Sequence, residues 1–520
     1  MARFKKIIYI LIGILLFVVI ANIGLNMWIA YKLPTIINRE NESPYYITYD
    51  DLEVSLLNSN ILAKDIVIVP KISLNNPAVK AGLYAKIPRI EVSRFKLWDL
   101  LFSQKIRARS IQITSPDVTI YREYLKAAED KEFLKKDVVE PFQKIILISQ
   151  ITLSEGDLRM VDVKTEKTNL SVRNIAFDID GILVTDDVLE QKIPFAYDKY
   201  YVRFDSLFFR ANEFYHVRTK AFHANDTSLV VKDVKYIPQY SRANFVAAIP
   251  LEKDLFSITA DSINIDKMKW GFKNDQFFFH CNSLTVNSAF ANIYRGKMPP
   301  DDLSKKPLYN KLLRDLKIDL QIGKLAIRNS TLEYEEEKSF EKGAGMLVFS
   351  KFNMTAKNIN SGFGKSKLPD VDINVNCLFM KSSPMNVRWT MNVLDKSDGF
   401  NIKGSILKFP AENLTPFTKP YMNVTAKGIL DKVYFNFTGN DKVAKGDFAM
   451  EYDDLKVSIF RKNEPRKRNK ILSAIANLFV KKDTKERIKN AQIEVERIPE
   501  KSFFNFFWRC HAEGLKKIMV

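Results

Sequence analysis

Three cysteines and four histidines are the residues of this chain best suited to metal or thiol chemistry, and their spacing argues against both. Cys281, Cys377 and Cys510 form no Cys-x-x-Cys pair, and an odd number excludes a complete disulfide framework. His216, His223, His280 and His511 are equally scattered. His280 and Cys281 are adjacent in a strand-like run, where successive side chains point to opposite faces, so they do not share a ligand. Gly362-Phe363-Gly364-Lys365-Ser366 ends like a phosphate-binding loop, but the position that needs the first glycine is Ile359. There is no Gly-x-Ser-x-Gly and no His-Glu-x-x-His. These patterns predict no metal and no cofactor.

The strongest catalytic candidate is the run Phe177-Asp178-Ile179-Asp180-Gly181-Ile182-Leu183-Val184. It resembles the first motif of haloacid-dehalogenase-type phosphatases, a hydrophobic strand ending in Asp-x-Asp-Gly. That resemblance would make Asp178 the nucleophile and Asp180 the acid/base. The chemistry needs a doubly wound α/β domain, a later lysine and an acidic pair. The flanks here are alternating strands, and no Gly-Asp-x-x-x-Asp follows. The run is therefore read as a strand ending in a turn at Asp180-Gly181, and no catalytic residue is expected.

What the residues do specify is strands. Ile90 and Val92 alternate with Arg89, Glu91 and Ser93; Ile111 and Ile113 alternate with Ser110, Gln112 and Thr114. Val433, Phe435 and Phe437 alternate with Tyr434 and Asn436. Such period-2 patterns give each strand one apolar and one mainly polar face, as in antiparallel sheets with one wet side. With 46% hydrophobic and 12% aromatic residues in 520, the chain can bury a large apolar surface. The net charge of +19 reads chiefly as scattered, solvated lysines.

Ile7 to Ala30 carries no charged side chain, and Arg3, Lys5 and Lys6 precede it. Roughly 20 apolar residues cross a bilayer, so the run predicts a transmembrane anchor, with Ile7, Leu11, Leu15, Val19, Ile23, Met27 and Ala30 along it. The positive-inside tendency places residues 1–6 in the cytoplasm and the bulk of the chain across the membrane. Asn26 to Tyr31 offers no small-residue cleavage site, and Trp28 and Tyr31 suit an interfacial belt, so the anchor is expected to be retained. Nucleic acid is not an expected partner of an exported domain.

An internal duplication follows. Ser110 to Arg122 matches Ser283 to Arg295, with Ser110, Ser115, Ile120, Tyr121 and Arg122 recurring as Ser283, Ser288, Ile293, Tyr294 and Arg295. Ile148 to Met160 matches Ile322 to Tyr334, and Leu62 to Pro70 matches Val230 to Pro238. A charged helical stretch follows each Ile-Tyr-Arg, at 123–138 and at 303–316. The expected units are a first β repeat at 44–200 and a second at 215–360, each with one inserted helix. A strand-rich module at 371–461 follows. Residues 466–520 then form a basic amphipathic helix, a strand and an aromatic helix. In the basic helix Ile471, Ile475, Leu478 and Phe479 share one face, flanked by Arg466, Lys467 and Arg468. It reads as a cap on the sheet edge or as a membrane-surface helix.

The anchor, the segment Tyr49 to Pro70, the strand–turn–strand cadence of Ile90 to Arg122 and the module Gly428 to Lys462 together resemble the AsmA-like superfamily of bacterial envelope proteins. The resemblance implies a single-pass inner-membrane protein with a periplasmic tail, built as a long, curled antiparallel sheet. It is similar in architecture to bridge-like lipid-transfer proteins, whose grooves hold acyl chains. It implies phospholipid or another acyl-chain lipid and the cytoplasmic membrane as partners, and a part in phospholipid transport and outer-membrane assembly. Ile90, Val92, Ile111, Ile113, Val118, Ile120, Val433, Phe435 and Phe437 would then be apolar groove wall. Closed sandwiches give the same alternation as an open groove. The other reading is a structural or regulatory envelope protein that holds protein partners, with the two helical insertions as docking surfaces.

Overall fold

The computed structural model describes residues 45–55, 58–75, 80–96, 99, 106–122, 146–189, 191–193, 195–460 and 488–519. The expected anchor (Ile7, Leu11, Leu15, Val19, Ile23, Met27, Ala30), the insertion at 123–138 and the basic helix (Arg466, Lys467, Arg468, Ile471, Ile475, Leu478, Phe479) lie outside the described residues. Among the described residues no helix is long and apolar enough to cross a membrane.

The protein is mainly β, and its described residues form 25 strands in one sheet. Most neighbours are antiparallel, but the sheet is mixed, which corrects the wholly antiparallel expectation. The strand Ile146–Asp162 runs parallel to both Ile106–Thr114 and Asp117–Arg122. The strand Asp319–Glu337 runs parallel to both Gln276–Asn287 and Phe290–Gly296. Alternation along a strand is the same for either direction, so sequence alone does not reveal it. The chain divides into two compact units, one comprising residues up to Ala211 with Arg218–Asp226, the other Asn212–Val217 with Thr227 onward.

Within the first unit the strand Asn60–Pro70 pairs with Gly82–Ser93, which pairs with both Ile106–Thr114 and Asp117–Arg122; these lie against Ile146–Asp162, which pairs with Thr168–Val184. Within the second unit Ser228–Pro238, Asp254–Asp266, the two strands Gln276–Asn287 and Phe290–Gly296, Asp319–Glu337 and Gly345–Asn360 follow the same scheme.

The two copies also share their bends. Asp65, Ser115, Glu155 and Asn174 have φ of 51°, 51°, 56° and 51°; their counterparts Asp233, Ser288, Asn329 and Lys351 have 51°, 50°, 46° and 46°. A single left-handed residue in a strand makes a bulge, which twists the sheet and reverses the in–out alternation beyond it. A second bend passes through Gly181 (φ 67°) in one copy and Asn358 (φ 61°) in the other. This corrects the reading of Asp180-Gly181 as a strand-ending turn, because the strand continues through it from Thr168 to Val184. A side chain at position 181 would be strained at this φ and would have to displace the Asp198 carboxylate.

The connection between the parallel strands of the second unit, residues 297–318, runs back along the sheet as a strap. Lys297 Nζ pairs with Glu252 at 2.6 Å, Lys501 pairs with Asp301, and the Lys306 amide donates to the Pro499 carbonyl at 2.8 Å. Its helix covers only Tyr309–Arg314, shorter than the expected 303–316. Pro307 disfavours helical backbone at the residue before it, and Leu308 is still extended. One side of the helix is held by the chain itself, while Leu312 on it is exposed. Asn310 Nδ2 donates to the carbonyls of Asn392 and Gly399 at 3.0 and 2.9 Å, and Arg314 donates to the Val393 carbonyl at 2.6 Å.

The expected strand and aromatic helix at the C-terminal end are present as Lys489–Glu496 and Phe503–Met519. The helix lies on the apolar side of the last strands. Trp389 and Phe503 stack at 4.5 Å, and the His511 ring meets Phe435, Phe437 and Phe448 at 4.6, 5.2 and 5.9 Å. The helix also covers the outer edge of the final strand, where backbone groups would otherwise be unpaired. Lys517 Nζ donates to the Gln492 carbonyl at 2.9 Å, and Arg509 Nη1 to the Glu496 carbonyl at 2.7 Å.

Candidate functional site

Residues that stand opposite one another across the strand pairings form continuous apolar rows. In the second unit Val231, Ile263, Val286, Ile327, Met354, Val375 and Val387 stand opposite one another in succession, and the row continues through Gly404, Phe435, Phe448 and Ala491. Every member is apolar or glycine. A second row runs Leu229, Ile265, Leu284, Leu325, Ala356, Ile373, Trp389, Ile402, Phe437, Gly446 and Ile493. The intervening positions on the other face are polar: Asn374, Arg388, Lys403, Asn436 and Asp447 form one such row.

The first unit has the same construction. Ala63, Ile90, Ile113, Leu153, Phe177 and Val202 form a row, and Ile61, Val92, Ile111, Ile151 and Ile179 another. Beyond the bend, Ile68, Ala85, Val118, Leu158, Val172 and Leu207 form a third. The bend lets these sets share a face. Ile113 and Val118 differ in parity, yet both pack in one cluster with Ile66, Ala85, Ile87 and Ile90. The left-handed residue between them, Ser115, absorbs the reversal.

Ile90, Val92, Ile111, Ile113, Val118 and Ile120 thus lie on the apolar face of the first unit, with all but Ile120 half-buried. Val433, Phe435 and Phe437 are placed differently from the open wall expected of them. The C-terminal helix covers them, and the two phenylalanines are 0% exposed. Gly404 makes room for this: a Cβ there would lie 2.6 Å from Phe435 Cζ. Over the strands from Ser228 to Met391, by contrast, Val231, Ile263, Val286, Ile327, Met354, Val375 and Val387 stay half-buried.

The ionisable groups singled out in the sequence lie apart among the described residues. Among the described residues no three His, Cys, Asp or Glu side chains converge to hold a metal. Asp178 accepts from Gln150 Nε2 at 3.0 Å on the polar face. Arg295 forks onto Asp254 at 2.6 and 2.8 Å at one end of the apolar face, so both charges are neutralised. The cysteines are free and buried, and burial raises the thiols of Cys377 to about 11 and of Cys510 to about 12, which keeps them unreactive near neutrality. His511 donates from Nδ1 to the Phe507 carbonyl at 2.9 Å, and its burial among rings lowers its pKa to about 4.

No family model matches the chain, and no curated protein matches it.

Proposed function

We propose that this protein binds the acyl chains of lipids along the apolar face of its sheet, as a membrane-anchored envelope protein of the AsmA-like kind, and takes part in moving or placing phospholipid. The observation that carries the reading is the pair of unbroken apolar rows in the second unit. They are half-buried over most of their length, and apart from the small Ala356 their members are fully buried only in the C-terminal module, where the chain's own helix lies on them. Each buried methylene gains about 0.8 kcal/mol, so a lipid tail along such a face gains several kcal/mol from burial alone. Nothing in this reading requires a catalytic residue or a cofactor. The anchor would hold the sheet at the cytoplasmic membrane with its bulk on the periplasmic side.

The test is lipid mass spectrometry on the full chain purified in detergent, with Ile111→Asp as the comparison. The reading expects co-purified diacyl lipid, with the variant folded and carrying less. A chain that carries no lipid and takes up none when offered would favour a scaffold for envelope proteins. Val433→Asp does not separate the two readings, because Val433 is 7% exposed inside the core.

A further inference from the structure

We infer that one rim of the sheet in the second unit is a docking edge for an anionic bilayer surface, made by two exposed phenylalanine tips. This rests on the acyl-chain reading above and names the surface with which that face would exchange lipid. The first tip belongs to the hairpin Lys269–Lys273 with Gln276–Asn287, and reads Lys269-Trp270-Gly271-Phe272-Lys273. The second is the loop Gly362-Phe363-Gly364-Lys365-Ser366-Lys367, the run that lacks the first glycine of a phosphate loop.

Both tips flank the start of the strand Asp319–Glu337. Gln276 Nε2 of the hairpin donates to the Lys317 carbonyl at 2.6 Å, and the Ser361 amide donates to the Leu320 carbonyl at 3.0 Å. Phe272 is 43% exposed and Phe363 47%, and Leu316 beside them is 36% exposed. Single exposed apolar residues are ordinary, but here they sit at adjacent loop tips, where burial within the chain is not on offer. The hairpin also carries the apolar face out to the rim: Trp270 stands opposite Phe279, which stands opposite Leu320, and Phe272 stands opposite Phe277.

The charges select the partner. Lys269, Lys273, Lys317, Lys365 and Lys367 are all exposed, and none makes an ion pair among the described residues. Asp275 shares the hairpin turn with Lys273, one carboxylate among these five lysines. The other acids nearby have partners within the chain: Asp315 pairs with Lys311 at 2.6 Å, Asp319 accepts from Gln321 at 3.2 Å, and Asp370 accepts from Asn392 at 2.8 Å. Aromatic tips ringed by cations fit the boundary between acyl chains and negatively charged headgroups. A lipid leaving such a surface would meet Trp270 and Phe279 first and then the apolar rows.

The test uses the full chain in neutral phosphatidylcholine nanodiscs, with an environment-sensitive fluorophore on cysteine introduced at Phe272, Phe363 or Lys381. Lys381 lies in a turn at the opposite end of the strands. Adding phosphatidylglycerol vesicles is expected to shift the emission to the blue at 272 and 363 and not at 381, whereas neutral vesicles give a weak response. The pair Lys273→Glu and Lys365→Glu, which leaves the tips and the fold intact, lowers vesicle affinity at least about tenfold. No shift at either tip, an equal shift at 381, or equal response to neutral vesicles overturns the docking edge. Lipid mass spectrometry on the same preparations keeps the two ideas apart. A lipid-loaded protein with silent tips loses the edge alone, and a lipid-free protein with responsive tips loses the acyl-chain reading alone.

Discussion

Phe435 shows how one side chain fixes the C-terminal module. Its ring is 0% exposed and packs against Phe437, Phe507 and His511 at 5.5, 5.3 and 4.6 Å. Phe435→Ala is expected to destabilise the module by about 3–5 kcal/mol, measured by denaturant unfolding. Gly404→Ala errs the other way, forcing a methyl against the Phe435 ring and the Asn386 carbonyl, and is expected to cost about 1–3 kcal/mol. His511 gives the same site a pH signature. Its folded-state pKa of about 4 lies below the ordinary value of 6.5, so between these the unfolded chain binds a proton that the folded chain does not. Stability is therefore full above about pH 6.5, falls as pH drops towards 4, and loses at most about 3 kcal/mol through this group. Unfolding midpoints across that range should decline in the native chain and stay flatter in His511→Gln. Retention of the full slope in that variant would assign it to the carboxylates.

At the scale of elements, alternation was enough to place many strands, and the repeated Ile-Tyr-Arg segments lie in Asp117–Arg122 and Phe290–Gly296, each parallel to the strand that follows it. The bends were not legible, because a left-handed backbone at Ser115 or Lys351 leaves no mark on residue type. Only the change of parity between Ile113 and Val118 hinted at one. The direction of Ile146–Asp162 was hidden for a similar reason: the connection that reverses it contributes nothing to alternation. The bends make a prediction. Lys351→Gly relieves a left-handed backbone at an exposed position and is expected to be neutral or to stabilise by up to about 1 kcal/mol. Asn329→Val places a β-branched residue in the same backbone state and is expected to destabilise by about 1–3 kcal/mol. The C-terminal helix is the other element whose role can be tested. Ending the chain after Arg497 uncovers Phe435, Phe437 and Phe448 and the outer edge of Lys489–Glu496, so the product should aggregate. A soluble, monomeric product by light scattering would show that the helix is not a cap.

For the molecule as a whole, the candidate site is a property of the sheet, and sequence could name only samples of it. Ile90 and Ile113 were recognisable as apolar positions, but their continuation through Leu153, Phe177 and Val202 depends on strand pairing. Val433, Phe435 and Phe437 looked identical in pattern to the half-buried rows, because alternation does not record what lies above a face. That difference in cover divides the apolar surface into a core closed by the chain and a face on which lipid tails are proposed to lie. The most direct test places a photo-crosslinking amino acid, in the full chain and in cells, at Met354 on the apolar row or at Thr355 on the opposite face. The account predicts lipid adducts by mass spectrometry at Met354 and none at Thr355. A folded protein that forms no lipid adduct at Met354, or forms equal amounts at both positions, would contradict it.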